Sequence, residues 1–365
     1  MSGDGAGAPR RPVVAVDANG ADLGPGEVAA GAALAAQQGV KVLLFGPAEE
    51  IGAPGSGVEV VDAPVSIAKS ADPARAARAT PDASIVQAAR AVAEGRADAL
   101  VCAGGTGAAL AAGLFNIKRA KGIHRPALAL PLPVPGHTVT LLDVGANSEA
   151  RREHLVQFAF MGAALVGSVF DVARPRVALL SNGAERERGS TLVQEAHAEL
   201  RQRSAGAPFE FVGNVEGGDV LAGVAEVIVT DGFTGNIALK LIEGVSSTVL
   251  GAVRQAAEGS PRSKLGGALL LPSLRAFRDQ IDPEGQGGAY LLGLRSLGVV
   301  PHGKFSSRGF AEAILRAQRG AQEQLADRTH AALEAAGALR SVPVGDAESA
   351  VERSASGLDA SLPTQ

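Results

Sequence analysis

Ala99-Leu100-Val101-Cys102-Ala103-Gly104-Gly105-Thr106-Gly107 is the stretch that decides the fold class. Four apolar residues in succession, without polar alternation, describe a strand covered on both faces. The glycines behind it make a tight turn, and an Ala-rich stretch of helical character then runs to about residue 121. Working outward, the same unit recurs. Residues 13–16 lead into Asp17-Ala18-Asn19-Gly20 and a helix near 26–38. Residues 42–45 end at Gly46-Pro47, and 58–61 at Asp62-Ala63-Pro64. Residues 139–142 precede Asp143-Val144-Gly145-Ala146-Asn147 and a helix over about 152–170. Residues 177–180 precede Ser181-Asn182-Gly183, and 227–230 precede Asp231-Gly232-Phe233-Thr234-Gly235-Asn236 and a long helix. Apolar strands alternating with helices imply a three-layer α/β/α fold with a mainly parallel sheet. In such a sheet ligands bind at the carboxyl ends of the strands, and those are the ends that carry these loops.

The 365 residues are 46% hydrophobic and 20% charged, which excludes global disorder. Aromatic residues make up only 3%, with no Trp and one Tyr, so Ala, Val, Leu and Ile must build the core. Neither that composition nor a net charge of −4 suits a nucleic-acid partner. Cys102 is the only cysteine, which rules out a disulfide or a thiolate zinc cluster within the chain and fits a reducing cytosol. No uninterrupted apolar run reaches the roughly 18–20 residues that span a bilayer. Arg10-Arg11 is followed by an apolar stretch that Asp17 interrupts, unlike a secretory signal. A cytoplasmic location is expected. Residues 1–11 and 340–365 have the composition of disordered tails around one domain over 12–335, and residues 80–82 and 131–136 read as loops.

Several loops have the residue types that phosphate or acyl chemistry needs. Gly105, Thr106 and Gly107 can bring backbone N–H groups close to an anion, or simply turn the chain from strand to helix. Asp231 and Asn236 can hydrogen-bond a substrate and Lys240 can add a cation. Alternatively Thr234 or Asn236 caps the helix and Lys240 is solvated. Arg186 and Arg188 suit bidentate phosphate binding, or form a solvated charge run, while Ser190 can cap the following helix. His302, in Pro301-His302-Gly303, is a better functional candidate than His154, which reads as a structural helix residue. Cys102 reads as a packed strand-end residue rather than a nucleophile. No H-E-x-x-H pair, nucleoside-triphosphate loop or dinucleotide fingerprint is present, so neither a metal nor a cofactor is expected.

Six phrases follow one another between residues 12 and 335. They are Ala103-Gly104-Gly105-Thr106-Gly107-Ala108; Lys121-Gly122-Ile123-His124-Arg125-Pro126-Ala127; and Leu141-Leu142-Asp143-Val144-Gly145-Ala146-Asn147, continued by Glu153-His154-Leu155-Val156-Gln157-Phe158-Ala159. Then come Phe211-Val212-Gly213-Asn214-Val215-Glu216-Gly217, the run from Asp231 to Ile237, and Gly287-Gly288-Ala289-Tyr290-Leu291-Leu292-Gly293. Together they resemble the bacterial phosphate acyltransferase family of phospholipid synthesis. The resemblance implies a fold similar to phosphate acetyltransferases, a homodimer, and acyl transfer from acyl carrier protein to inorganic phosphate, without a covalent enzyme intermediate. The catalytic candidates are Asp231, Asn236 and Lys240. The substrate-binding candidates are Gly105, Thr106, Gly107, Asp143, Asn147, Arg188, Ser190, Asn214 and His302.

This chain departs from the family pattern in four loops. Asp17-Ala18-Asn19-Gly20-Ala21-Asp22 stands for D-x-M-G-G-D, Gly105 for an Asn, Ala184 and Arg186 lie in a loop that is usually more acidic, and Pro301 and Lys304 flank His302-Gly303. A relative using acyl-coenzyme A and a non-catalytic scaffold that binds carrier protein are the two alternatives. Residues 265–281 are a candidate membrane-contact segment. Leu270, Leu274, Phe277 and Ile281 fall on one helical face near Arg275 and Arg278, and Pro272 is expected in the first turn of that helix.

Overall fold

The computed structural model describes residues 10–340, so the expected tails lie outside the described residues apart from positions 10–11 and 340. The strands are β1 (Val13–Asp17), β2 (Lys41–Gly46), β3 (Val58–Asp62), β4 (Ala99–Cys102), β5 (Ala127–Val134), β6 (His137–Leu142), β7 (Arg176–Leu180), β8 (Glu210–Val215), β9 (Val227–Val229), β10 (Ala289–Leu292) and β11 (Gly298–Val300). They form one sheet in the order β3-β2-β1-β4-β11-β10-β5-β6-β9-β7-β8. The helices are α1 (Pro25–Gln37), α2 (Ala48–Ile51), α3 (Pro73–Ala79), α4 (Ser84–Ala93), α5 (Thr106–Ala112), α6 (Arg152–Val169), α7 (Thr191–Arg203), α8 (Gly232–Glu258), α9 (Pro261–Gln280), α10 (Ser307–Gln322) and α11 (Leu325–Ala335).

Alternate strand residues feed opposite faces, as the pleat requires. Val14, Val16, Ala99, Val101, Val177, Leu179, Val227 and Val229 join one continuous core with apolar residues of α1, α6, α7, α10 and α11. On the other face Ala15, Leu100 and Cys102 pack under α3 to α5, and Val139, Leu141, Ala178 and Ile228 under the first turns of α8. Three layers result, as the apolar strands imply. Helix α6 is buried almost all round, so it needs no amphipathic pattern.

The sheet is mainly parallel, with seven parallel pairings. The three antiparallel pairings all involve β5 or β10 near its centre. That central reversal corrects the expectation of one ligand-binding edge. Strands β1 to β4, β5 and β11 share one direction, whereas β6 to β9 and β10 run the other way. The loops after β1, β4 and β11 therefore gather on one edge, and those after β6, β7, β8 and β9 on the opposite one.

Three local expectations also change. Residues 131–134 belong to β5, because beyond Ala129 this strand pairs only with β6, so Pro131 and Pro133 need no ladder partner on the other side. The helix after β4 ends early, in a wide turn over Gly113–Ile117. Helix α9 begins at Pro261 rather than near Leu270, because Ser260 caps it by accepting from Ser263 N–H at 3.1 Å. Pro272 is thus interior, and Pro261 holds the tolerated first-turn position.

Candidate active site

On the first edge three loops touch through their backbones. Gly104, at φ +93°, lies so close to Gly20 O and Gly303 Cα that an added Cβ would sit 2.8 and 3.2 Å away. Asp22 N–H donates to Gly303 O at 2.7 Å. Only glycine fits there. Gly105 packs on Ala68 and Gly107 on Pro73, while Thr106 opens the seven-residue α5. His302 is exposed, and its Nδ1 accepts from Lys304 N–H at 3.1 Å. Beneath them Asp17 is fully buried, accepts from Asn19 N–H at 3.1 Å, and has its pKa pushed up to about 6 by burial. The neighbouring thiol of Cys102 is raised too, first by burial and then by the Asp17 charge, so it remains a protonated packing group. Asn19 stands where the resembled family has Met. Its amide donates to Ala63 O at 3.1 Å and Ser84 Oγ at 2.9 Å, so the polar substitution is satisfied locally.

The second edge is built round Asp143, which is completely buried. Its carboxylate accepts from the backbone N–H groups of Leu128, Gly145, Ala146 and Asn147 at 2.8–3.1 Å, and from Asn147 Nδ2 at 2.8 Å. Burial raises its pKa, and those donors oppose the shift. Asn147 also donates to Pro126 O at 2.7 Å, tying the loop to the start of β5. Both side chains hold the loop together. Gly232 N–H donates to Asn147 O at 2.8 Å, and Gly235 passes so near Asp143 O that an added Cβ would clash at 1.9 Å. This close approach seats the start of α8 on the loop and leaves Asn236 exposed beside Gly145.

Asp231 is the cap of α8, in place of the alternative that Thr234 or Asn236 caps it. Its Oδ1 accepts from Thr234 N–H at 2.9 Å and its Oδ2 from Thr234 Oγ1 at 2.7 Å. Lys240 is exposed and pairs with Glu243 at 2.7 Å. Further along the same edge Arg188 is exposed and 3.5 Å from Glu185, and Ser190 caps α7. Asn214 is buried, donates to Glu185 O at 2.9 Å and accepts from His197 Nδ1 at 3.0 Å. The geometry thus brings Asp143, Asn147, Asp231 and Asn236 together. Gly105, Thr106, Gly107 and His302 stand on the opposite edge. Sequence reading missed Gln157, which is fully buried on α6. It accepts from His124 N–H at 2.8 Å and donates to Gly122 O and Ala338 O, each at 2.9 Å, so it fixes the loop before β5. A lone amide inside an otherwise apolar helical run was its only signal.

A family model described as a fatty acid synthesis protein matches residues 13–328. A phosphate acyltransferase of Heliobacterium modesticaldum is 42% identical over 319 residues, covering 85% of this chain and 94% of that protein. The chain belongs to the phosphate acyltransferase family. A member from Listeria monocytogenes is 37% identical and covers 92% of this chain and 99% of its own length. Among solved structures, the EutD phosphotransacetylase of Staphylococcus aureus overlays with a TM-score of 0.56 at 19% identity, covering 85% of this chain and 94% of its own. A phosphotransacetylase from Streptococcus pyogenes gives 0.56 at 17% identity, covering 86% and 94%. At those identities the likeness shows a shared α/β fold. Family membership makes the chain an acyltransferase, with its class set by the sequence relatives and its architecture by the structural ones.

Proposed function

We propose that this chain transfers a fatty acyl group from acyl carrier protein to inorganic phosphate, giving an acyl phosphate for phospholipid synthesis. The observation that carries the reading is the near full-length identity to phosphate acyltransferases, 94% of the Heliobacterium protein being matched. A phosphate oxygen attacks the thioester carbonyl carbon, the C–O bond forms, and the electrons pass to the carbonyl oxygen. When that tetrahedral oxyanion collapses, the C–S bond breaks and the carrier thiolate leaves and takes a proton. Phosphate is already a nucleophile, so alignment and oxyanion stabilisation are the main demands on the protein. The Asp143–Asn147 loop and the start of α8 support that role. Asp231 and Asp143 position the helix start, Asn236 offers an exposed amide donor, and the positive end of α8 favours a developing anion. Lys240 supplies a cation once it leaves Glu243.

The assembly we propose is a homodimer that touches membranes peripherally and otherwise resides in the cytoplasm. Phe233, Ile237, Leu241, Val245, Val249 and Val253 form an exposed stripe at four-residue spacing along α8, which suits helix pairing with a second copy. Helix α8 is by length and composition apolar enough to cross a bilayer, a property its scattered charges hid from the run-length reading. The exposed leucines and Phe277 of α9 provide the lipid-facing surface. Consumption of acyl-carrier-protein thioester and of acyl-coenzyme A, each with and without phosphate, tests the donor. Phosphate-dependent loss of the carrier thioester alone is expected. Preference for the coenzyme A ester contradicts the proposed donor, and loss of neither leaves only the scaffold alternative.

A further inference from the structure

A cavity of about 640 Å3 opens on the second edge, next to Ala146 and Asn147. Arg119, Arg125, Arg151 and Arg340 line it, against the single acidic side chain of Glu153. The ion pairs of this region join Arg152 to Glu153 and Glu199, and Arg203 to Glu199. Arg119, Arg125 and Arg151 have no carboxylate partner within 4 Å among the described residues. Arg119 Nη1 donates to the carbonyl oxygens of Ile123 and His124, which leaves Arg125 and Arg151 as the guanidinium groups poised for an anion, and their planar forks match phosphate oxygens.

The cavity is also organised in advance of any ligand. Gln157 and Asn147 pin the loop that carries His124 and Arg125 through the hydrogen bonds described above. At the first turn of α6, Arg151 N–H donates to His154 Nδ1 at 3.2 Å, which leaves the ring hydrogen on Nε2 as a donor. Burial holds both imidazoles below their ordinary pKa, so near neutral pH they are hydrogen-bonding groups rather than charges. The lining also has an aliphatic part: Leu110 and Leu114, half-buried, come from α5 and the turn after it. Basic and aliphatic side chains in one cavity describe an amphiphilic anion, not a bare one.

We propose that this cavity binds the phosphate head of an aliphatic acyl phosphate, with Arg125 and Arg151 on the head and Leu110 and Leu114 against the start of the chain. The assignment rests on the acyl-to-phosphate reading for its ligand. Its site, however, follows from the cavity alone. It also gives a use to His124, Arg125 and His154, which lie in the phrases that carry the family resemblance yet stand outside the catalytic set named above.

The test is calorimetric titration of the full chain with dodecylphosphonate, a non-hydrolysable mimic kept below its micelle concentration, and separately with inorganic phosphate. The wild type should bind the phosphonate more tightly than phosphate. Arg125→Ala and Arg151→Ala should each weaken the phosphonate about tenfold, the scale of one lost charge-assisted bond. Leu114→Ser should weaken the phosphonate while leaving phosphate unchanged. Arg125→Gln and Arg151→Gln, checked by circular dichroism, serve if an alanine variant misfolds. Wild-type phosphonate affinity in the arginine variants, no binding by the wild type, or equal affinity for both ligands overturns the assignment. Phosphonate binding without any acyl phosphate formation would instead remove the reaction and leave the site standing. Turnover with unaltered binding in the variants would do the reverse.

Discussion

At the scale of single residues, the acidic side chains divide by what surrounds them. Asp143 and Asp231 both lie in conspicuous Gly/Asn loops, and sequence alone gave each a substrate-facing role. Asp143 instead accepts four hydrogen bonds from its own loop and a fifth from Leu128 N–H of β5, and Asp231 caps α8. Residue type and spacing are the same for an internal acceptor and a ligand, since both need a carboxylate near backbone N–H groups. Asp17 shows what burial does when fewer donors are present. Its folded pKa of about 6 exceeds the unfolded value, so its contribution to stability is fully present below about pH 4 and is lost as pH rises through 6. Two pKa steps correspond to about 3 kcal/mol. The midpoint in urea should therefore fall less between pH 4 and 6 for Asp17→Asn than for wild type. Parallel pH profiles for the two proteins would show that Asp17 is not titrating in the folded state.

At the scale of elements, the apolar runs gave the strands and most helices because a strand buried on both faces leaves a plain record in the chain. The failures have a common physical origin. The 131–134 segment contains two prolines and reads as a loop, yet beyond Ala129 the strand pairs on one side only, which tolerates them. The spacing of Leu270, Leu274, Phe277 and Ile281 points to a helix start near residue 270, whereas α9 begins at Pro261, because an exposed helix carries no core periodicity and only Ser260-Pro261 marks its beginning. Residues 265–281, expected to present an apolar face, lie mostly in α9 and leave its leucines and Phe277 exposed, while the exposed apolar stripe of α8 is an addition from the structure. Gly267 of α9 lies against Ala257 of α8, so the two helices form a hairpin whose outer side shows Leu269, Leu270, Leu274 and Phe277. Wild type should float with anionic liposomes at low salt, and the double variant Leu274→Glu, Phe277→Glu should not. Wild type remaining in the soluble fraction would assign that face to protein contact.

At the scale of the whole molecule, the layer architecture was legible and the polarity of the sheet was not. Every strand–loop–helix unit looks alike whether its strand runs up or down, so the loops seemed to form one ligand-binding edge. Strands β5 and β10 reverse the sheet and separate Gly105 and His302 from Asp143 and Asn236. The six phrases of the family resemblance survive that separation because they report ancestry rather than position. The reaction claimed for this architecture predicts a defined product. Phosphorus-31 NMR of the purified chain with acyl carrier thioester and phosphate follows that product directly. An acyl phosphate resonance should grow in equal amount with free carrier thiol. Thiol released without that resonance, or phosphate left unchanged while the thioester persists, would contradict acyl transfer to phosphate.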